Sequence, residues 1–344
     1  MRPSFFHHLH PPTVPAKQAR FRYTLAAGGL AVFLMLILLA TGILEMFYYV
    51  PTPDEAALSI QTLSFLVPYG GLVRNLHYWS AQLLLVVTAV HLLRVIFTGA
   101  YAPPRRFNYL LGLFLFVFTV LLDFTGYILR WDEGVHWALV TGINLVKSIP
   151  LLGKVLYGIL VGGSQPGAAT LIRFYGWHIF GLTLAAIILG FWHIFCLRRG
   201  GGIALPPPAL RADHERITRF ELVRREGLAM LLTGSALLIL STFAPAPLAA
   251  PITSTTTVTE AVRAPWFFLW VQQLLKLGNP FLLGVLVPLV ILTLLALIPY
   301  VFPKPAPAEL GRWFPKSNRA AQILVATLAL AILSLIVLAL LSNP

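Results

Sequence analysis

The chain has 344 residues, 58% of them hydrophobic and 11% charged, and a mean hydropathy of +0.81, which excludes a soluble globular fold and makes the bilayer its solvent. Its net charge of +13 lies in loops on one side of the predicted spans, which argues against nucleic acid as a partner. The single cysteine, Cys196, excludes a disulfide framework, a cysteine-ligated cluster and a CxxCH haem attachment site.

Residues 1–20 are polar and rich in Pro and His, with no early apolar core, and do not read as a signal peptide. His7, His8 and His10 stand there without further ligands, as a solvated tract would. Seven spans follow, at roughly 24–48, 75–98, 108–129, 174–197, 227–247, 279–302 and 320–342. Segment 155–172 is also uncharged, but Gly158, Gly162, Gly163, Pro166 and Gly167 break it into a loop with short surface helices. The sharpest composition shift is the linker 201–225, which divides a four-helix half (1–200) from a three-helix half (226–344). The expected fold is therefore an all-α membrane protein of seven transmembrane helices, a four-helix bundle plus a three-helix C-terminal part. With seven spans, 18 of the 25 basic residues fall on one side, which places the N-terminus in the cytoplasm.

Two histidine pairs stand inside these spans. His77 and His91 are 14 positions apart on the second span, and His178 and His193 are 15 apart on the fourth. At about 1.5 Å rise and 100° per residue, each pair sets two imidazoles about 21–22 Å apart within about 60° of one helix face. One histidine on an apolar helix is more often a hydrogen-bonded core residue than a ligand. Four at matched spacing on two helices form two bis-imidazole sites, one near each membrane surface, which is what electron transfer across a bilayer requires. Both helices run inward, so His77 pairs with His178 near the outer face and His91 with His193 near the inner one.

Gly28 and Gly42 on the first span, and Gly112 and Gly126 on the third, repeat the 14-residue period. Glycine costs about 1 kcal/mol against alanine in a helix. The shared period predicts notches that let two macrocycles approach the backbone, rather than ordinary small-residue packing. Arg74 and Arg94 each lie one turn beyond a ligand, toward opposite surfaces, where a cation meets a haem propionate.

Several segments resemble the cytochrome b subunit of quinol-oxidising bc- and b–f-type complexes. Gly71-Leu72-Val73-Arg74-Asn75-Leu76-His77 and His91-Leu92-Leu93-Arg94-Val95 are similar to that family's second helix. Thr125-Gly126-Tyr127-Ile128-Leu129-Arg130-Trp131-Asp132 resembles its third-helix exit, and Thr170-Leu171-Ile172-Arg173-Phe174-Tyr175-Gly176-Trp177-His178 its fourth-helix entry. Ala40-Thr41-Gly42 with Phe47-Tyr48-Tyr49 resembles the end of its first helix. The fourth-helix histidine spacing is that of the b–f branch. The resemblance implies two non-covalent b haems, a quinol substrate oxidised at an outer pocket, and quinone reduction at an inner site. It also implies a Rieske iron–sulfur partner, a c-type cytochrome, a homodimer, and a bacterial cytoplasmic membrane as the setting. An inner quinone site would draw on residues near His193 such as Arg198, Asp213 and His214.

This chain departs from the family at the outer pocket. The family's Pro-Glu-Trp-Tyr motif becomes Ala264-Pro265-Trp266-Phe267, with Pro265 at the proton-accepting glutamate. Leu-Pro-Trp becomes Leu129-Arg130-Trp131, and Thr183 replaces a proline five residues past the first fourth-helix ligand. Ala26 stands where the b–f branch attaches a further haem to cysteine, so no covalent haem is expected. Asp123, one turn before Tyr127, faces the same pocket by the resemblance. A carboxyl is costly in lipid when charged and can exchange a proton near neutral pH. Asp123, with Glu133 or His136, is therefore a candidate replacement for the glutamate; the alternative is an ion pair with a cation such as Arg130. Expected pocket residues are Asp123, Tyr127, Trp266 and Glu133. Two other readings are a dihaem quinone-reactive anchor without a Rieske partner, and a transporter or assembly protein with a histidine proton path.

Overall fold

Inside lipid the backbone must satisfy its own hydrogen bonds, so uncharged stretches of about 20 residues cross as helices. The computed structural model describes residues 11–210, 214–252 and 263–342. Among these, seven helices are long and apolar enough to span a membrane: α1 (Ala27–Met46), α3 (Gly70–Phe97), α4 (Arg106–Ile128), α7 (Ala168–Arg199), α8 (Arg219–Phe243), α10 (Phe281–Val301) and α11 (Lys316–Leu341). Four shorter helices join them: α2 (Ala56–Phe65), α5 (Glu133–Lys147), α6 (Gly153–Val161) and α9 (Trp266–Leu275). The broken apolar segment at 155–172 thus holds a 9-residue helix, too short to cross, and a bend before α7.

Helices α1, α3, α4 and α7 form a bundle through successive contacts of α1 with α3, α3 with α4, and α4 with α7. Helix α8 packs against α1 and α3, α10 against α4, and α11 against α3 and α9. Leu34, Leu84 and Leu237 are buried where α1, α3 and α8 meet. Large side chains such as Leu36, Phe114, Ile188, Leu231, Leu289 and Leu330 point outward, as a lipid-facing surface requires. Strand β1 (Thr13–Pro15) pairs antiparallel with β2 (Arg216–Thr218), tying the N-terminal segment to the start of α8.

Helix α8 begins at Arg219, eight residues before the predicted start at 227. Its N-cap Thr218 accepts a hydrogen bond from the Glu221 amide at 3.2 Å. That is the Thr-x-x-Glu signal of a helix start, and the charged first turns hid it from a hydropathy reading.

The N-terminal end of α3 clamps the stretch that follows α8. The Asn75 amide donates to the Ser241 carbonyl at 2.9 Å and accepts from the Ala246 N–H at 2.8 Å. Trp79 Nε1 donates to the Ala244 carbonyl at 2.8 Å. Asn75→Ala strands two enclosed backbone groups, each worth about 1–3 kcal/mol. The expected result is a lower thermal midpoint in detergent with haem content retained; an unchanged midpoint contradicts the clamp.

Candidate functional site

The bundle brings each histidine of α3 to one of α7. The His77 and His178 ring centroids lie 6.4 Å apart with an interplanar angle of 66°. A metal with imidazole bonds of about 2.0–2.1 Å on either side fits that gap. His91 and His193 lie within electrostatic reach of each other at the opposite end of the bundle. The unequal spacings of 14 and 15 have a structural cause. Helix α7 carries a π-helical turn over Trp177–Gly181. Such a turn absorbs one extra residue, which brings the second pair into phase with the first. Thr183 Oγ1 donates to the His178 carbonyl within this turn, a role the family's proline lacks the hydrogen to fill.

Hydrogen bonds at Nδ1 of His77, His178 and His193 leave Nε2 of each available to bind a metal. His193 Nδ1 donates to the Asn108 carbonyl and His178 Nδ1 to the Leu122 carbonyl, each at 3.1 Å. His77 Nδ1 lies 2.9 Å from Thr41 Oγ1, which itself donates to the Ile37 carbonyl and so accepts from the imidazole. A carbonyl or committed hydroxyl fixes the tautomer and raises ligand basicity. His91 Nδ1 is enclosed without a partner among the described residues.

The four glycines meet the imidazoles themselves. A Cβ at Gly126 would lie 2.7 Å from His178 Cε1, at Gly112 3.1 Å from His193 Cε1, and at Gly42 3.2 Å from His77 Cε1. At Gly28 it would lie 3.7 Å from His91 Cε1, an ordinary contact. The 14-residue period therefore sets each glycine against one of the four imidazoles, beside the space in which the macrocycles are expected. Gly126→Ala is expected to displace His178 and lower bound haem per chain, while Gly28→Ala retains it. Equal haem content in both variants contradicts this grading.

A cavity of about 320 Å³ opens beside His77 and His178, lined also by Arg74, Asp123, Tyr127 and Trp266. These predicted residues converge; Glu133 and His136 stand on α5 outside the lining. Burial holds the His136 imidazole below its usual range. Asp123 Oδ1 accepts from Gln82 Nε2 at 3.0 Å, and its Oδ2 is enclosed without a partner among the described residues. The alternative ion pair between Asp123 and Arg130 is not formed: Arg130 donates to Asp132 at 2.7 and 2.9 Å. Tyr127 Oη donates to the Gly134 carbonyl at 2.9 Å. Arg74 donates to the carbonyls of Ala246 (3.1 Å) and Pro247 (2.6 Å), so its guanidinium also holds the clamp.

Two cavity residues escaped the sequence reading. Glu45 lines the same cavity, with Oε1 enclosed and unpartnered. Its signal was plain, an ionisable residue within a predicted span. Gln82 carried no comparable signal.

At the His91 end of the bundle, Arg94 Nε donates to the Tyr23 carbonyl at 3.1 Å and its guanidinium sits 4.5 Å from the Tyr23 ring centroid. Its Nη2 is enclosed without a partner, a donor suited to an anionic group such as a propionate. Arg198 lies within electrostatic reach of Arg219 and Glu226. His214 is exposed. Asp213, His7, His8 and His10 lie outside the described residues. Cys196 is a free thiol near the C-terminal end of α7.

This geometry accords with what known proteins share with the chain. The family Cytochrome b/b6/petB matches residues 14–201. Cytochrome b6 of Heliobacterium modesticaldum is 38% identical over 182 residues, covering 53% of this chain and 83% of that protein. The menaquinol:cytochrome c reductase cytochrome b subunit of Geobacillus thermodenitrificans is 37% identical over 175 residues, covering 51% and 78%. A solved hyperthermophilic respiratory Complex III superposes with a TM-score of 0.80 at 19% identity, covering 94% of this chain and 85% of that one. The chain belongs to the cytochrome b/b6 family, a multi-pass membrane protein that binds b-type haem.

Proposed function

We propose that this cytochrome b is the dihaem core of a quinol-oxidising complex of bc or b–f type, with His77 and His178 holding an outer haem and His91 and His193 an inner one. The observation that carries the reading is the His77–His178 geometry, two rings 6.4 Å apart with Nδ1 of each engaged. When bound, the haems supply one-electron carriers at two depths of the membrane. Arg94 Nη2 would neutralise an inner propionate, and Arg74 lies at the outer level between its carbonyl partners.

Quinol binds in the outer cavity and loses two electrons and two protons there. One electron leaves to a Rieske iron–sulfur partner and then a c-type cytochrome; the other crosses toward the inner face. Asp123 accepts a quinol proton in place of the glutamate whose position Pro265 occupies. What supports this role is the unpartnered Oδ2 beside the cavity and the commitment of Arg130 to Asp132. Arg198, with Arg219 and Glu226, lines the inner quinone site. The complex is a homodimer in a bacterial cytoplasmic membrane, with the N-terminus cytoplasmic. The chain divides into a dihaem bundle (1–200), a linker (201–225) and a three-helix part (226–344).

Purification of the native complex tests the reading. The expected preparation contains a Rieske subunit and reduces its b haem on addition of quinol. A haem-containing preparation without a Rieske subunit points to an anchor of another oxidoreductase and overturns it.

A further inference from the structure

Trp266, Gln82 and Asp123 come from three separate elements, the start of α9, the middle of α3 and the outer part of α4. Trp266 Nε1 lies 2.6 Å from Gln82 Oε1, and Gln82 Nε2 lies 3.0 Å from Asp123 Oδ1. An indole nitrogen only donates. It therefore compels Gln82 to present its carbonyl oxygen to Trp266 and its NH₂ to Asp123, which settles an amide orientation that is otherwise free. Donation runs one way along the chain, from Trp266 through Gln82 to Asp123.

That polarity decides how Asp123 works. A carboxylate oxygen receiving an N–H is committed as an acceptor and is stabilised in its charged form. Oδ2, enclosed and without a partner, is left to exchange a proton. We infer that Gln82 is the positioning residue that aligns Asp123 for proton acceptance, holding Oδ1 and reserving Oδ2, and that Trp266 locks Gln82 in the required orientation. The inference rests on Asp123 being the proton acceptor. It adds a link between the halves of the molecule: Trp266 is the first residue of α9, so seating of that helix start sets the acceptor on α4. The other ionisable groups lining the cavity are Glu45 and Tyr49 from α1 and the turn after it, Arg74, His77 and Tyr78 from α3, Tyr127 and Arg130 from the end of α4, and Tyr175 and His178 from α7; Tyr78 lies within electrostatic reach of Asp123.

The test uses the assembled complex with quinol and a soluble electron acceptor, comparing wild type with Gln82→Met, Trp266→Phe, Asp123→Asn and the Gln82→Met/Asp123→Asn pair. A proton acceptor works when ionised, so the rate rises with pH through its ionisation. Loss of the N–H donor makes the charged form harder to reach and moves this acid limb to higher pH. Gln82→Met is expected to do so while lowering kcat more than it raises KM, with haem content unchanged. Trp266→Phe, which frees the Gln82 amide to turn over, is expected to shift the limb in the same direction. In the Asp123→Asn background Gln82→Met is expected to add nothing, because the two act as a unit.

If Asp123→Asn abolishes the acid limb but neither Gln82→Met nor Trp266→Phe moves it, the Gln82 inference falls and the acceptor stands. If Asp123→Asn leaves the limb untouched, the acceptor reading falls first, and the positioning role with it. Should Gln82→Met fail to assemble, Trp266→Phe alone decides: an unshifted limb overturns the inference.

Discussion

Under the proposed dihaem core, a chain carrying His77→Ala is expected to bind one haem against an expected two in the parent, and quinol oxidation by its complex is expected to fall to background. His77 and His178 meet across a 6.4 Å gap, so removing one leaves a single axial imidazole in a site built for two. The inner pair is about four helical turns away and keeps its own support, His193 Nδ1 on the Asn108 carbonyl. The effect is therefore confined to the outer site. Pyridine haemochrome analysis against protein concentration measures it. Two haems retained, or both lost with the fold intact by circular dichroism, contradict the assignment of His77 to a separate outer site.

Asp123→Asn is expected to slow quinol oxidation by about a hundredfold or more, the range seen when a positioned proton acceptor is removed. Asparagine keeps the size of the side chain and can still meet Gln82, so haem content and assembly are expected to stay as in wild type. The pH profile carries the decisive sign. In wild type the rate is expected to rise with pH as the carboxyl ionises; in Asp123→Asn that rise is expected to disappear, because an amide cannot take up the proton. An unchanged rate and profile would remove Asp123 from the reaction.

Much of this was legible from residue spacing. The uncharged runs located the seven spans, and the matched histidine separations paired His77 with His178, whose ring centroids lie 6.4 Å apart. What escaped were features with no period along the chain. The π turn over Trp177–Gly181 is invisible in composition, yet it reconciles a spacing of 15 with one of 14. Gly112 and Gly126 announced themselves by period, but only three-dimensional packing shows that each backs a histidine ring. Arg74 was read as a partner for a propionate, and its carbonyl partners at Ala246 and Pro247, more than 170 positions on, were beyond any local pattern. Gln82 is a neutral amide in an apolar span, and its meaning appears only when Trp266 arrives from the far half of the chain.

The helix α8 start shows a different kind of miss. Hydropathy discounts the charged segment from Arg219 to Glu226, while the Thr218 cap shows it to be helical. Those first turns carry Arg219 and Glu226 toward Arg198, so extending the helix also assembled the inner charged cluster.

The most direct test of the account is the haem-to-protein ratio of the purified chain, read from the pyridine haemochrome, together with the electron paramagnetic resonance of the oxidised form. Four histidines in two pairs predict two b haems per chain, both low-spin with two imidazole ligands, and none covalently attached. One haem per chain, a colourless protein or a haem that resists acid-acetone extraction would contradict it.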